Sequence, residues 1–227
     1  MTQLPSSEPA RAAARPVRRS QARRTADTRL ALVEAAIRLL CRVGYAGTTT
    51  LAIPEEAGLS RGAFQHQFGT KAALMIEVVK HVYAEELLEY RRYFNGKPNL
   101  DLSDFPAVIW EISRRPSAIA VLEILNGCRN DPQLAEQLMP IQDEIERNSI
   151  ENLMGALRIN QAAPVAIDME AAKHAVRLIV WSARGLSIMM GMGKSQAELA
   201  GSVALLESLL RSGQGEWMRV HGAPVPA

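Results

Sequence analysis

Apolar residues recur along this chain at spacings of three and four from about Thr25 onward. Leu30, Val33, Ile37, Leu40 and Val43 fall on one side of a helix, and Gly44 supplies its C-terminal stop. Thr49 or Thr50 then caps a short second helix by accepting a backbone N–H in its first turn. That helix must end by Gly58, because glycine takes the left-handed conformation a tight turn needs. Ser60 caps a third helix over 61–68, in which Phe64 and Phe68 lie four apart and share a buried face. Gly69 and Thr70 break the pattern again, and a long fourth helix follows over 71–94. Five more helices are predicted over 102–114, 117–129, 132–157, 169–190 and 196–211, bounded by Pro116 and by three turn-rich stretches at 130–132, 160–164 and 191–195. Pro140, inside the third of these, is expected to kink or split it. No stretch alternates as a strand does, and no internal repeat is visible. The predicted fold is all-α. Residues 25–72 form a three-helix unit containing a helix-turn-helix, and residues 73–212 form a larger helical domain.

Composition supports this. Of 227 residues, 48% are hydrophobic and only 5% aromatic, enough for a real core and typical of an Ala/Leu-rich helical chain. Two cysteines, Cys41 on the buried side of the first helix and Cys128, do not make a disulfide framework and fit a reducing cytoplasm. The first thirty residues lack the apolar segment of a secretory signal. The most apolar run, 178–190, is interrupted by Arg184 and falls short of the roughly 20 apolar residues of a membrane span, so no membrane association is expected.

Charge is unevenly placed. Residues 1–30 carry seven arginines, Arg11 to Arg29, against Glu8 and Asp27, a net +5 that leaves −3 for the rest of a chain whose total is +2. Residues 1–24, with Pro5, Pro9 and Pro16 and no apolar period, read as a disordered basic arm. Such an arm suits a polyanion as partner or acts as a solubilising tail. Residues 213–227 read as a frayed tail.

The chemistry concentrates in "GLSRGAFQHQFGTK", residues 58–71. In a helix-turn-helix the second helix of the motif enters the DNA major groove with its N-terminal residues near the base edges. Ser60 and the free N–H groups behind it face phosphate well, because that end of a helix is electropositive. Gly62 and Ala63 are small and permit close approach. Arg61 can reach a guanine or a phosphate, and Gln65 and His66 can hydrogen-bond to bases or backbone. Lys71 is placed to hold a phosphate.

The stretch "TRLALVEAAIRLLCRVGYAGTTTLAIPEEAGLSRGAFQHQFGTKAALMIEVV", residues 28–79, resembles the DNA-binding domain of TetR-type transcriptional regulators. The shared skeleton is G-x-x-x-T-T, an isoleucine, A-G-[VL]-S-x-G, an aromatic cluster ending in Phe, and [ST]-K-x-x-L. The resemblance implies a homodimer that binds a pseudo-palindromic operator on double-stranded DNA. It also implies a larger helical domain that binds a small-molecule effector, expected to be apolar, and dimerises. Phosphate contacts map onto Thr49 and Lys71, and the recognition helix onto residues 60–67. Two departures stand out. Gln65 and Gln67 replace the family's Tyr and His. Pro54 replaces an Ala, so the second helix either starts late, near Ile53, or bends.

For the effector pocket the resemblance suggests His81, Trp110, Leu125, Cys128 and Met139, although Trp110 and Leu125 also suit plain core. For the dimer, Leu199, Val203, Leu206 and Leu210 form a continuous apolar stripe. The preceding helix adds Leu178 and Trp181. Pairing with their copies would make a four-helix bundle, and packing within one subunit is the alternative. No phosphate loop, metal cluster or nucleophile–base pair points to an enzyme, and no cofactor is expected. The expected function is a homodimeric repressor released from its operator by the effector. The competing reading is a helical adaptor whose helix-turn-helix binds protein.

Overall fold

The computed structural model describes residues 21–95, 97, 102–159, 165–167 and 169–224. Of the expected basic arm, residues 1–20 lie outside this range. Helix α1 spans Gln21–Gly47, so it begins four residues earlier than its apolar pattern, and Gly44 interrupts it at φ 69°. Next come α2 (Ala52–Glu56), α3 (Arg61–Gln67) and α4 (Lys71–Phe94). A 3₁₀ turn at Leu102–Asp104 leads into α5 (Phe105–Ser113), followed by α6 (Pro116–Gly127), α7 (Pro132–Ile159), α8 (Met169–Gly191) and α9 (Gln196–His221). Prolines open α5 and α6 within their first two positions, where a missing N–H costs nothing. Asp131 caps α7, its Oδ1 accepting the Leu134 N–H at 3.0 Å.

Four expectations change. Pro140 neither splits nor ends α7, which is assigned as one helix through it. Leu134 and Leu138, both fully buried just before it, hold that segment against the core. A short antiparallel ribbon, absent from the sequence expectation, pairs β1 (Val165–Ile167) with β2 (Gly222–Pro224). Three residues are too few to show alternation. Residues 213–221, read as a frayed tail, continue α9. Finally, Cys41, read as buried, is exposed on α1, with its Sγ donating to the Pro116 carbonyl at 3.1 Å.

The buried face of α1 is Leu32, Val33, Ala35, Ala36, Leu39 and Leu40. Leu30 and Val43, assigned to that face from spacing, are 44% and 48% exposed. The largest buried cluster takes in α1 to α4 and continues through Val121 and Ile124 of α6 into Leu134 and Leu138 of α7. The N-terminal three helices therefore share a core with the body. A second cluster lies among α5, α7 and α8, with Tyr90 and Phe94 of α4 packed on it. In a third, Trp110 meets Leu199 and Val203. Among the described residues, no helix is long and apolar enough to cross a membrane.

Candidate functional site

The helix-turn-helix is set by its turns. Gly58 lies at φ 65°, the left-handed region, and nothing lies within 4 Å of where a Cβ would stand. Its requirement is conformational, not steric. Thr49 Oγ1 accepts the Ala52 N–H at 3.1 Å, so Thr49 caps the turn that leads into α2. As α2 begins at Ala52, Pro54 is its third residue, in the first turn, where proline is tolerated. Glu56 then ties α2 to α1 through Arg38, at 3.1 Å, and Arg42, at 2.5 Å.

Ser60 is extended and caps α3, its Oγ accepting the Ala63 N–H at 3.1 Å. Phe64 is buried, and its ring lies 6.3 Å from that of Phe68. Those two rings turn the opposite face outward. Ser60, Arg61, Gly62, Gln65 and His66 are exposed on it, with Ala63 half-buried beside them. Exposed Thr49 stands at the start of α2.

Lys71 is placed differently from expectation. Its Nζ donates to the Tyr45 carbonyl at 2.6 Å and lies 3.6 Å from the centre of the Tyr45 ring. Burial lowers its pKa, and Asp131 offsets that in part. Lys71 is thus held inside the fold and does not extend as a free phosphate ligand. Tyr45 is the hub of this contact. Its hydroxyl donates to Asp131 Oδ2 at 2.6 Å, and its N–H donates to Glu123 Oε2 at 3.2 Å. Its ring lies so flat on α6 that a Cβ at Gly127 would stand 2.5 Å from Tyr45 Cγ. That hydrogen bond, the Leu134 N–H and Lys71 hold the Asp131 carboxyl below the usual range.

Arg29, counted in the net charge of residues 1–30, is a structural clamp. It grips Glu77 of α4 with two hydrogen bonds, at 3.2 and 2.7 Å, and donates to the Gln67 carbonyl at the end of α3 at 3.2 Å. Its guanidinium also lies 4.4 Å from the centre of the Phe68 ring. One side chain therefore fixes both ends of the α3–α4 corner. Nothing in spacing alone marks it.

A cavity of about 180 Å³ lies among α4, α5, α7 and α8. Phe94, Phe105, Ile109, Leu153, Val176 and Val180 make its walls apolar, and Tyr83, Glu86, Tyr90 and Arg184 bring polar groups to it. None of the five residues expected for the pocket lines this cavity. Trp110 is core against Leu199. Leu125 and Cys128 pack on the N-terminal cluster. His81 pairs with Glu85 at 3.4 Å, and Met139 is 40% exposed. The cavity did leave a trace in the sequence. Val79, Tyr83, Glu86, Tyr90 and Phe94 keep helical spacing on α4, and one carboxylate breaks that stripe.

The expected dimer stripe turns inward in part. Leu199 and Val203 are 5% and 8% exposed, packed on their own chain's Trp110. Leu210 packs partly on the α5–α8 cluster, and Leu206 is half-buried. The outward apolar face consists of Leu178, Trp181, Ile188 and Met189 on α8 with Leu205 and Leu209 on α9, each at least 41% exposed.

A capped helix-turn-helix with an exposed polar face, joined to a larger helical body, is the architecture of a class of DNA-binding regulators. Residues 32–78 match the family model of bacterial regulatory proteins of the tetR family. Over 178 residues the chain is 30% identical to the HTH-type transcriptional regulator CymR of Pseudomonas putida, covering 76% of this chain and 84% of that protein. The chain belongs to the TetR family and is a DNA-binding transcriptional regulator. Its fold is also that of a TetR-family regulator from Pectobacterium atrosepticum, 26% identical, with a TM-score of 0.57 over 86% of this chain and 97% of that one. A candidate transcriptional regulator from Saccharomonospora viridis in complex with choline, 18% identical, shares the fold with a TM-score of 0.57 over 83% and 95% of the two chains.

Proposed function

We propose that this regulator is a cytoplasmic homodimeric repressor that leaves a palindromic operator when a small, largely apolar effector enters the α4–α8 cavity. One observation carries the reading. Helix α4 begins four residues after α3 ends and, further along, walls the cavity with Tyr83, Glu86 and Tyr90. A ligand that binds one tilt of α4 more tightly than another changes the setting of α3 by that difference in affinity. Residues 25–72 act as the DNA-binding unit and 73–212 as the effector and dimer body. Ser60, Arg61, Gly62, Ala63, Gln65 and His66 face the groove, with Thr49 at a phosphate. The outward face of α8 and α9 pairs with its copy, because a two-fold operator needs recognition helices about 34–36 Å apart. The structural neighbour that holds choline supports a small-molecule site in such a body.

The test is mobility shift with DNA from the upstream region of the regulator's own gene, with sequencing of the bound pool. A recovered inverted repeat, bound less tightly as salt rises, supports the reading. Sequence-indifferent binding refutes the groove assignment.

A further inference from the structure

One wall of the cavity is polar. Glu86 makes no hydrogen bond or ion pair among the described residues, and burial pushes its carboxyl above the usual carboxylate range, with Arg184 and Arg115 opposing. Three residues earlier, the Tyr83 hydroxyl is buried with no hydrogen-bond partner. Tyr90, one turn on, is buried close enough to feel both. The other walls include Phe105, Ile109 and Val180, with Phe94 next along α4. A buried polar group left unmet, as the Tyr83 hydroxyl is, costs far more than one that is paired, so an occupant that meets this wall gains affinity from it. A carboxylate can only accept hydrogen bonds, so its complement is a donor, and the strongest donor is a cation. Arg91, Arg177 and Arg184 also line the cavity; Arg177 pairs with Glu146, and Arg184 lies 4.9 Å from the centre of the half-exposed Trp181 ring. The volume of about 180 Å³ is close to the roughly 150 Å³ that admits benzene in a dry apolar cavity, so the body is about one ring.

Resting on the reading of this cavity as the effector site, we infer that its ligand is a compact apolar molecule, one ring in size, carrying a protonated nitrogen that pairs with Glu86. Calorimetric titration of the full chain with benzylamine, benzyl alcohol and benzoate tests this. Benzylamine should bind about tenfold or more tightly than either of the others, and Glu86→Gln should remove that preference while leaving benzyl alcohol unchanged. Val180→Trp, which fills the cavity, should abolish binding of all three. Benzoate binding as tightly as benzylamine, or benzylamine indifferent to Glu86→Gln, overturns the ligand class and leaves the cavity as the effector site. No binding of any of the three to the wild-type chain, or benzylamine binding that survives Val180→Trp, overturns the cavity reading and the ligand class together. The wild-type preference decides even if Glu86→Gln folds poorly.

Discussion

At the residue scale, Arg29 and Glu86 carry opposite costs. Arg29 combines a two-point carboxylate grip, a helix-end carbonyl and a ring, but it is partly exposed, which screens the ion pair. Arg29→Ala should lower unfolding free energy by about 1–2 kcal/mol in urea titrations. It should weaken specific operator binding more than binding to unrelated DNA, because it frees the end of α3 while leaving the exposed side chains of α3 intact. Arg29→Lys should restore the charge but not the fork, and so should recover little. Glu86 works against the fold. Its carboxyl is pushed above the ordinary 4.5, so the folded chain holds that proton more tightly than the unfolded one. The stability that follows is full below the unfolded value and is lost as pH rises through the folded one. Glu86→Gln should therefore raise the melting temperature at pH 7 and leave it nearly unchanged at about pH 4. An equal rise at both values would show that the carboxylate is not the cause.

At the element scale, two glycines separate conformation from space. Gly58 has open room and a left-handed φ, so Gly58→Ala should cost about 1–2 kcal/mol and Gly58→Asn less, since asparagine tolerates that region. Gly127 is helical, and any Cβ there strikes the Tyr45 ring. Gly127→Ala should cost about 1–3 kcal/mol by overpacking, and Tyr45→Phe in the same background should recover little, because the clash is with the ring. Chemical denaturation of the four variants orders these costs. Helix positions were legible because caps and breakers are local: Ser60, Thr70, Pro116 and Pro132 mark boundaries that the structure keeps. Helix faces were less so. On α1, Ala35 and Ala36 face the core while Leu30 and Val43 do not, and in an Ala/Leu-rich helix more than one stripe satisfies the same spacing. On α9 the stripe through Leu199 and Val203 is real, but it faces the chain's own Trp110. The cavity was the least legible feature, since its walls come from four helices whose relative placement no local pattern records.

At the scale of the whole molecule, the outward apolar residues of α8 and α9 are the proposed dimer face. Leu205→Glu with Leu209→Glu, both 60% exposed in the single chain, should give a folded monomer by sedimentation with weakened operator binding. A dimer that persists would place the interface elsewhere. The contact between Tyr45 and α6 has a further consequence, for anyone who recombines such proteins. The reading head is not a detachable cartridge: its Tyr45 needs a bare backbone at 127, an acceptor at 131 and a carboxylate at 123. A graft of residues 21–72 onto a foreign body should read its operator faithfully only when those three positions travel with it.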